Sequence, residues 1–342
     1  MKSKIVKYIP YLIFSISAVS FLTAGTVSKR GTTAAQFLTI GQGARGLSMG
    51  SAFVAVADDQ SAMYWNPAGI TDIYGNSIMF DYTEWIADIK YNYLGATFNI
   101  GDYGVVGFNL TASNIGDMKV TTTENPDGTG EVFSASDVAV GVTYALKLTD
   151  KFSIGFNPKI VHQSIWKTSA TGIAVDVGVK YITPFKNVTL GMSITNFGSK
   201  MRLLGNSTLV LYDADLTTTG NNGRIPADLR TDEWSLPLNF KFGIAYQAMK
   251  NDLGSFIVAV DASHPSDNYE SLDVGGEYGF NDFVFLRGGY KSLFLGDAED
   301  HLTLGFGVKQ AIIGNTSMSI DYAYQDFGRL KNVQKFSFGI IF

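Results

Sequence analysis

The chain has 342 residues, of which 37 are Gly, 13% are aromatic, only 17% are charged and none is Cys. That composition suits one large all-β unit and excludes a disulfide framework, a Cys-based zinc site, a cysteine nucleophile and a lipid anchor on an N-terminal cysteine. The net charge of −5 becomes about −8 once Lys2, Lys4 and Lys7 leave with an N-terminal leader, which argues against nucleic acid, a partner that needs a basic face.

Residues 1–24 read as that leader, a secretory signal peptide. A basic start is followed by the apolar run Tyr8 to Leu22 and then by Thr23-Ala24-Gly25, small residues suited to a signal peptidase. Pro10 and the serines inside the run, and the small residues after it, argue against a spanning helix. Past residue 30 no apolar stretch is long enough to cross a membrane as a helix.

Residues 25–74 read as an N-terminal plug. Between Gly41 and Gly69, Leu47, Gly50, Val54 and Ala57 recur at helical spacing, and Gly46, Ser48, Gly50, Ser51 and Ala52 let such a helix pack closely against a surrounding wall. Asp58 and Asp59 stand where an N-cap belongs for a short helix from Gln60 to Trp65. Asn66-Pro67 ends it, and Gly69 permits the turn into the first strand. Arg45, inside the plug, needs a carboxylate on the wall. Gly41, Gly43 and Gly46 also fit G-x-G-x-x-G, but a dinucleotide site requires a βαβ unit and an acidic residue about 20 positions on. Downstream the chain is strand after strand with no alternating helices, so the glycines are read as serving tight turns.

The run AQFLTIGQGARGLSMGSAFVAVADDQSAMYWNPAGI resembles the start of PorV/PorQ-type outer-membrane proteins. Its spacing of small residues, its paired Asp and Asn66-Pro67-Ala68 are also similar to the N-terminal hatch of FadL-type long-chain fatty-acid transporters.

From Asn76 onward the period is 2. Val138, Val140, Val142, Tyr144, Leu146 and Leu148 face one way and Ala139, Gly141, Thr143, Ala145 and Lys147 the other. Similar runs occupy 172–183, 235–247 and 300–310, and the expected strands number about 14, an even count. Connections at Gly101-Asp102, Thr149-Asp150 and Phe280-Asn281-Asp282 are tight, whereas 113–135, 197–234 and 292–299 are long and fall at the opposite end. A soluble sandwich has no reason to keep that parity. The expectation is a transmembrane antiparallel β-barrel over 75–342, with short periplasmic turns, long external loops and an apolar band about 25 Å tall. Phe336, Phe338, Ile340 and Phe342 share one face of the last strand and resemble the C-terminal signal read by the barrel-assembly machinery.

The face opposite the apolar one then lines the lumen. It carries Lys147, Lys159, Lys180, Lys241, Arg287 and Lys309 against Asp81, Asp176, Asp261, Asp273, Glu277 and Asp321. Such charges must pair or meet water, and salt bridges bracing the barrel around the plug are the expected arrangement. The histidines, His162, His264 and His301, lie apart with no metal-ligand spacing, and no G-x-S-x-G elbow is present. The chain is therefore read as a non-enzyme without a cofactor or metal, and His264 as a surface residue.

The PorV/PorQ resemblance implies an outer-membrane barrel, assembled after export, that works in type IX secretion by receiving exported proteins and other secretion components. The FadL likeness implies an alternative, transport of long-chain fatty acids or other hydrophobic small molecules. The loops 113–135 and 197–234 are the expected contact regions.

Overall fold

The computed structural model describes residues 29–342 except 216, 218, 219, 221, 252, 253 and 297; the signal peptide expected over 1–24 lies outside the described residues. Fourteen strands form one antiparallel sheet closed on itself: β1 (Ser77–Glu84), β2 (Lys90–Asn99), β3 (Val105–Lys119), β4 (Val132–Thr149), β5 (Phe152–Ile165), β6 (Thr168–Ile182), β7 (Val188–Gly198), β8 (Asn239–Asn251), β9 (Gly254–Pro265), β10 (Ser271–Phe280), β11 (Val284–Leu293), β12 (Leu302–Ala311), β13 (Ser317–Asp326) and β14 (Asn332–Ile341). Each strand pairs with its neighbours in sequence, and β1 with β14 makes the seam: Phe80 lies opposite both Leu94 and Phe338. Closure removes the two edges whose backbone groups hydrocarbon could not satisfy.

The alternation sorts side chains as the period requires. Val140, Val142, Tyr144, Phe240, Leu304 and Phe306 are exposed on the outside, while Ala139, Thr143, Asp176 and Asp261 are buried on the inside. In the last strand Phe336 and Phe338 point outward beside the inward Lys335 and Ser337, and Phe342 exchanges backbone bonds with Asn76 at 2.8 and 2.9 Å.

Connections 100–104, 150–151, 183–187, 281–283 and 312–316 gather at one end, and 120–131, 199–238 and 294–301 at the other. The long loops are shorter or placed differently than the sequence suggests. β3 runs on to Lys119 and β4 begins at Val132, because Met118 and Lys119 resume pairing with Phe133 and Val132 past a bulge after Ile115. Leu236 and Leu238 do not continue the outward face of β8; Leu236 is buried in a cluster under the long-loop mouth.

The plug departs further from expectation. Its first helix, α1 (Ala44–Ser48), has only five residues, and Gly50 and Ser51, at φ 65° and 66°, stop it. The second, α2 (Ala62–Trp65), starts two residues later than Gln60, and a 3-10 helix, Pro67–Asp72, follows with Asn66 as its cap. The turn into β1 falls at Gly75, φ 83°, and not at Gly69, whose missing side chain instead lets Ala57 approach.

The plug also traverses the barrel. At the long-loop end Thr33 bridges Ser235, Ala34 N–H donates to Ser235 O at 2.9 Å, and Thr33 Oγ1 donates to Asp267 Oδ2 at 2.6 Å. Phe37 and Leu38 are buried there with Tyr91, Val161, Met201 and Leu236. Asn76, at the other end of the segment, meets Phe342 at the short-turn end.

The neighbours Phe240 and Lys241 test the register. Phe240 faces outward, and Lys241 reaches in over the Trp65 ring, 4.7 Å from its centroid. Phe240→Lys, facing hydrocarbon, is expected to cost about 2–4 kcal/mol in lipid. Lys241→Phe is expected to cost markedly less, and unfolding titrations of both variants in liposomes measure the difference.

Candidate functional site: the lumen around the plug

Wall and plug touch backbone to backbone. A Cβ on Gly50 would lie 2.7 Å from Val274 O and 2.8 Å from Tyr290 N, so only glycine fits that left-handed turn against the wall. The wall gives way in return: side chains at Gly155, Gly191, Gly275 or Gly289 would run into the plug backbone at Pro67, Val54, Met49 and Gly50. Gly178 makes the same room for Asn66.

An irregular segment leaves many backbone N–H groups unsatisfied by its own helices. Here the wall accepts them. Asp81 Oδ2 takes Gly43 N–H at 2.6 Å, and Ser337 Oγ takes Ala44 N–H at 2.7 Å. Asp261 Oδ2 takes those of Phe53 and Val54 at 2.7 and 2.8 Å, and Thr303 Oγ1 takes Gly50 N–H at 2.9 Å. Asn66 works in both directions, donating to Val54 O and Val179 O at 2.8 and 2.9 Å while accepting from Ala68 N–H at 3.2 Å.

Many of the charges fall in three groups. In the first, Arg45 Nε and one terminal nitrogen grip Glu277 at 2.7 and 2.9 Å, and Arg287 holds the same carboxylate at 2.6 Å and Asp321 at 2.6 Å. Asp58 completes it by pairing with Arg45, so it is not a helix cap. Asp59 lies 3.6 Å from Arg45 and accepts Ser61 N–H at 2.9 Å, opening α2 by an Asx turn. In the second group Asp72, at the end of the plug, is clamped by Lys147 at 2.8 Å and Lys180 at 2.9 Å, and Lys180 also donates to Ala57 O at 2.8 Å. Burial pushes the Asp72 carboxyl up, but the two ammonium groups hold it below the usual carboxylate range. In the third, Asp176 gathers Lys159 Nζ at 2.8 Å, Asn157 Nδ2 at 2.9 Å and Asn196 N–H at 2.7 Å.

Of the other lumen residues read from the sequence, Asp273 accepts Ser292 N–H at 2.8 Å, and Lys309 is exposed at the short-turn rim. There it borders a cavity of about 740 Å³ beneath the Arg45 network, shared with Lys250, Asp321 and Phe342. Gly41, Gly43 and Gly46 crowd Trp65 and Ser61, with no strand leading into them. The three histidines stay apart; His264 is exposed and sits 2.9 Å from Glu270. Lys335 is absent from the lumen charges expected of the sequence, although it alternates with Phe336. It is buried over the Tyr91 ring and donates to Gly41 O. Asp72 ends the 3-10 helix of the plug, outside the alternating strands that mark the other lumen charges.

On the hydrocarbon side, one wall segment is broken. Pairing of β4 with β5 skips from Gly141↔Lys159 to Tyr144↔Phe156 around Pro158, and β6 slips against β7 between Val175 and Val177. Val140, Val142, Pro158, Ile160, Ile173 and Phe197 line a groove of about 600 Å³ at this place.

The family model for the type IX secretion system protein PorV matches residues 25–264. Among solved structures, the CymD monoaromatic hydrocarbon channel is similar at 14% identity, TM-score 0.56, over 88% of this chain and 96% of that one. The Ralstonia pickettii toluene transporter TbuX is similar at 15% identity and TM-score 0.54, over 88% and 97%. The Pseudomonas putida toluene transporter TodX is similar at 14% identity and TM-score 0.56, over 88% and 97%. At such identities the likeness speaks to the fold alone. No curated protein matches the chain.

Glu277 is the shared counter-charge of two guanidinium groups, so Glu277→Gln leaves Arg45 to Asp58 and Asp59 and Arg287 to Asp321. Loss of about 1–3 kcal/mol is expected, seen as a lower unfolding midpoint and as faster amide exchange over residues 44–58.

Proposed function

The chain belongs to the family of the type IX secretion system protein PorV, and from that premise we propose a non-enzymatic, non-conducting barrel that receives exported proteins at the outer membrane. The outer-membrane barrel itself follows from the closed sheet and the family. With short turns on the periplasmic side, the loops 120–131 and 199–238 face the cell exterior. The observation that carries the reading is the plugged lumen. A plug fixed by backbone contact, by wall-to-plug hydrogen bonds and by the Arg45 and Asp72 ion pairs leaves the external loops as the place to work.

A second reading draws on the groove at Pro158. The FadL-like alternative, transport of long-chain fatty acids or other hydrophobic small molecules, would use a lateral route through such a break, and TbuX and TodX are described as toluene transporters. Behind the groove, however, Lys159, Asp176, Asn157 and Asn196 form a closed polar network, a poor path for an apolar solute.

Negligible steady conductance is expected of the intact protein in planar bilayers, and a channel is expected after deletion of residues 34–66. Capture of exported proteins should depend on the 199–238 loop. Steady conductance by the intact protein, or uptake of labelled fatty acid into vesicles without such capture, would replace this reading by the transporter.

A further inference from the structure

Outside the barrel, the 199–238 loop carries a two-stranded hairpin, Leu209–Tyr212 against Ile225–Asp228. Its register sets Tyr212 opposite Ile225, Leu211 opposite Pro226, Val210 opposite Ala227 and Leu209 opposite Asp228. Pro226 has no N–H, and the ladder continues with Leu229 N–H donating to Thr208 O at 2.8 Å. Those two facts fix the alternation: Tyr212–Ile225 and Val210–Ala227 exchange bonds, while Leu209 and Leu211 turn their backbone groups away from the partner strand. Asn206 O takes Leu209 N–H. The Leu209 carbonyl and both backbone groups of Leu211 are left on an open edge, with no backbone partner among the described residues.

The two edges of the hairpin differ. On the far edge the position matching Leu211 is Pro226, which cannot donate, so that edge is blunted against another strand. The near edge is open and apolar, with Leu209, Leu211 and Tyr212 at 53%, 66% and 56% exposure in a loop that stands in water. It is also held in place. Leu204 and Gly205 pair with Ser169 and Thr168 of β6, and Met201 and Trp234 exchange backbone bonds at 2.8 and 2.9 Å.

We infer that the Leu209–Tyr212 edge docks an extended strand of an exported protein, which joins the hairpin as its third strand. The inference rests on the proposed role in secretion. Open N–H and C=O groups select a strand over a helix or a small molecule, and Leu209 and Leu211, two residues apart, receive alternate apolar side chains on one face.

Leu211 sits at a non-hydrogen-bonded pair, so Leu211→Pro removes the outward N–H without breaking a bond inside the hairpin. Leu211→Lys keeps the N–H and puts a charge on the apolar face. The full-length protein in detergent and the C-terminal domain of an exported protein as probe make the test. Binding to the unaltered protein is expected, with at least tenfold weaker binding to both variants and an unchanged heat-modifiable barrel. Binding by both variants within twofold of the parent overturns the edge and leaves the secretion role standing. No binding to the parent overturns the secretion role and the edge with it. Should Leu211→Pro fail to fold, Leu211→Lys decides.

Discussion

One carboxylate sits between two guanidinium groups inside this barrel. Glu277, on β10, is held by Arg45 from the plug and by Arg287 from the neighbouring strand, and Asp321 and Asp58 balance the outer sides of the arginines. Glu277 and Arg287 are shielded from water, and shielded charges persist only when each has an opposite. The network therefore ties plug to wall: Glu277 on β10 answers one guanidinium from each, and Arg45 is shared between Glu277 of the wall and Asp58 of the plug.

The rest of the interior obeys the same rule with weaker bonds. Helices of five and four residues cannot satisfy the plug backbone, so Asp81, Asp261, Thr303 and Ser337 receive its N–H groups from four different strands. Glycines on β5, β6, β7, β10 and β11 bring the backbones close enough for these bonds to form. Each anchor contributes little by itself, on the order of 1 kcal/mol net. Spread around the circumference, they resist tilting in every direction, a property of a fitted stopper more than of a hinged gate.

The strands were legible because lipid outside and a polar filling inside impose alternation on nearly every residue, and the parity of loop lengths then separates a barrel from a sandwich. The family resemblance lay in the plug segment, yet its shape did not. Helical spacing of Leu47, Val54 and Ala57 suggested a continuous helix, but partners on the wall outweighed local periodicity and the chain turned at Gly50 and Ser51. Asp58 read as a cap because capping is local chemistry, whereas its pairing with Arg45 closes over 13 residues and cannot be seen from spacing. Lys335 was within reach of the same alternation that marked Lys241. The inward glycines read as merely small, since nothing in a strand pattern announces that a second backbone will lie against it.

The path of residues 33–76 has a topological outcome. The segment enters at the mouth with the long loops, fills the bore, and emerges at the opposite rim to begin β1, which then zips to β14. The fold is thus a ring fastened around its own leading cord. Phe37, Leu38 and Trp65 of the cord are buried inside the bore. The seam that completes the ring therefore also fixes where the cord leaves it, since β1 is at once the continuation of the cord and one side of the seam.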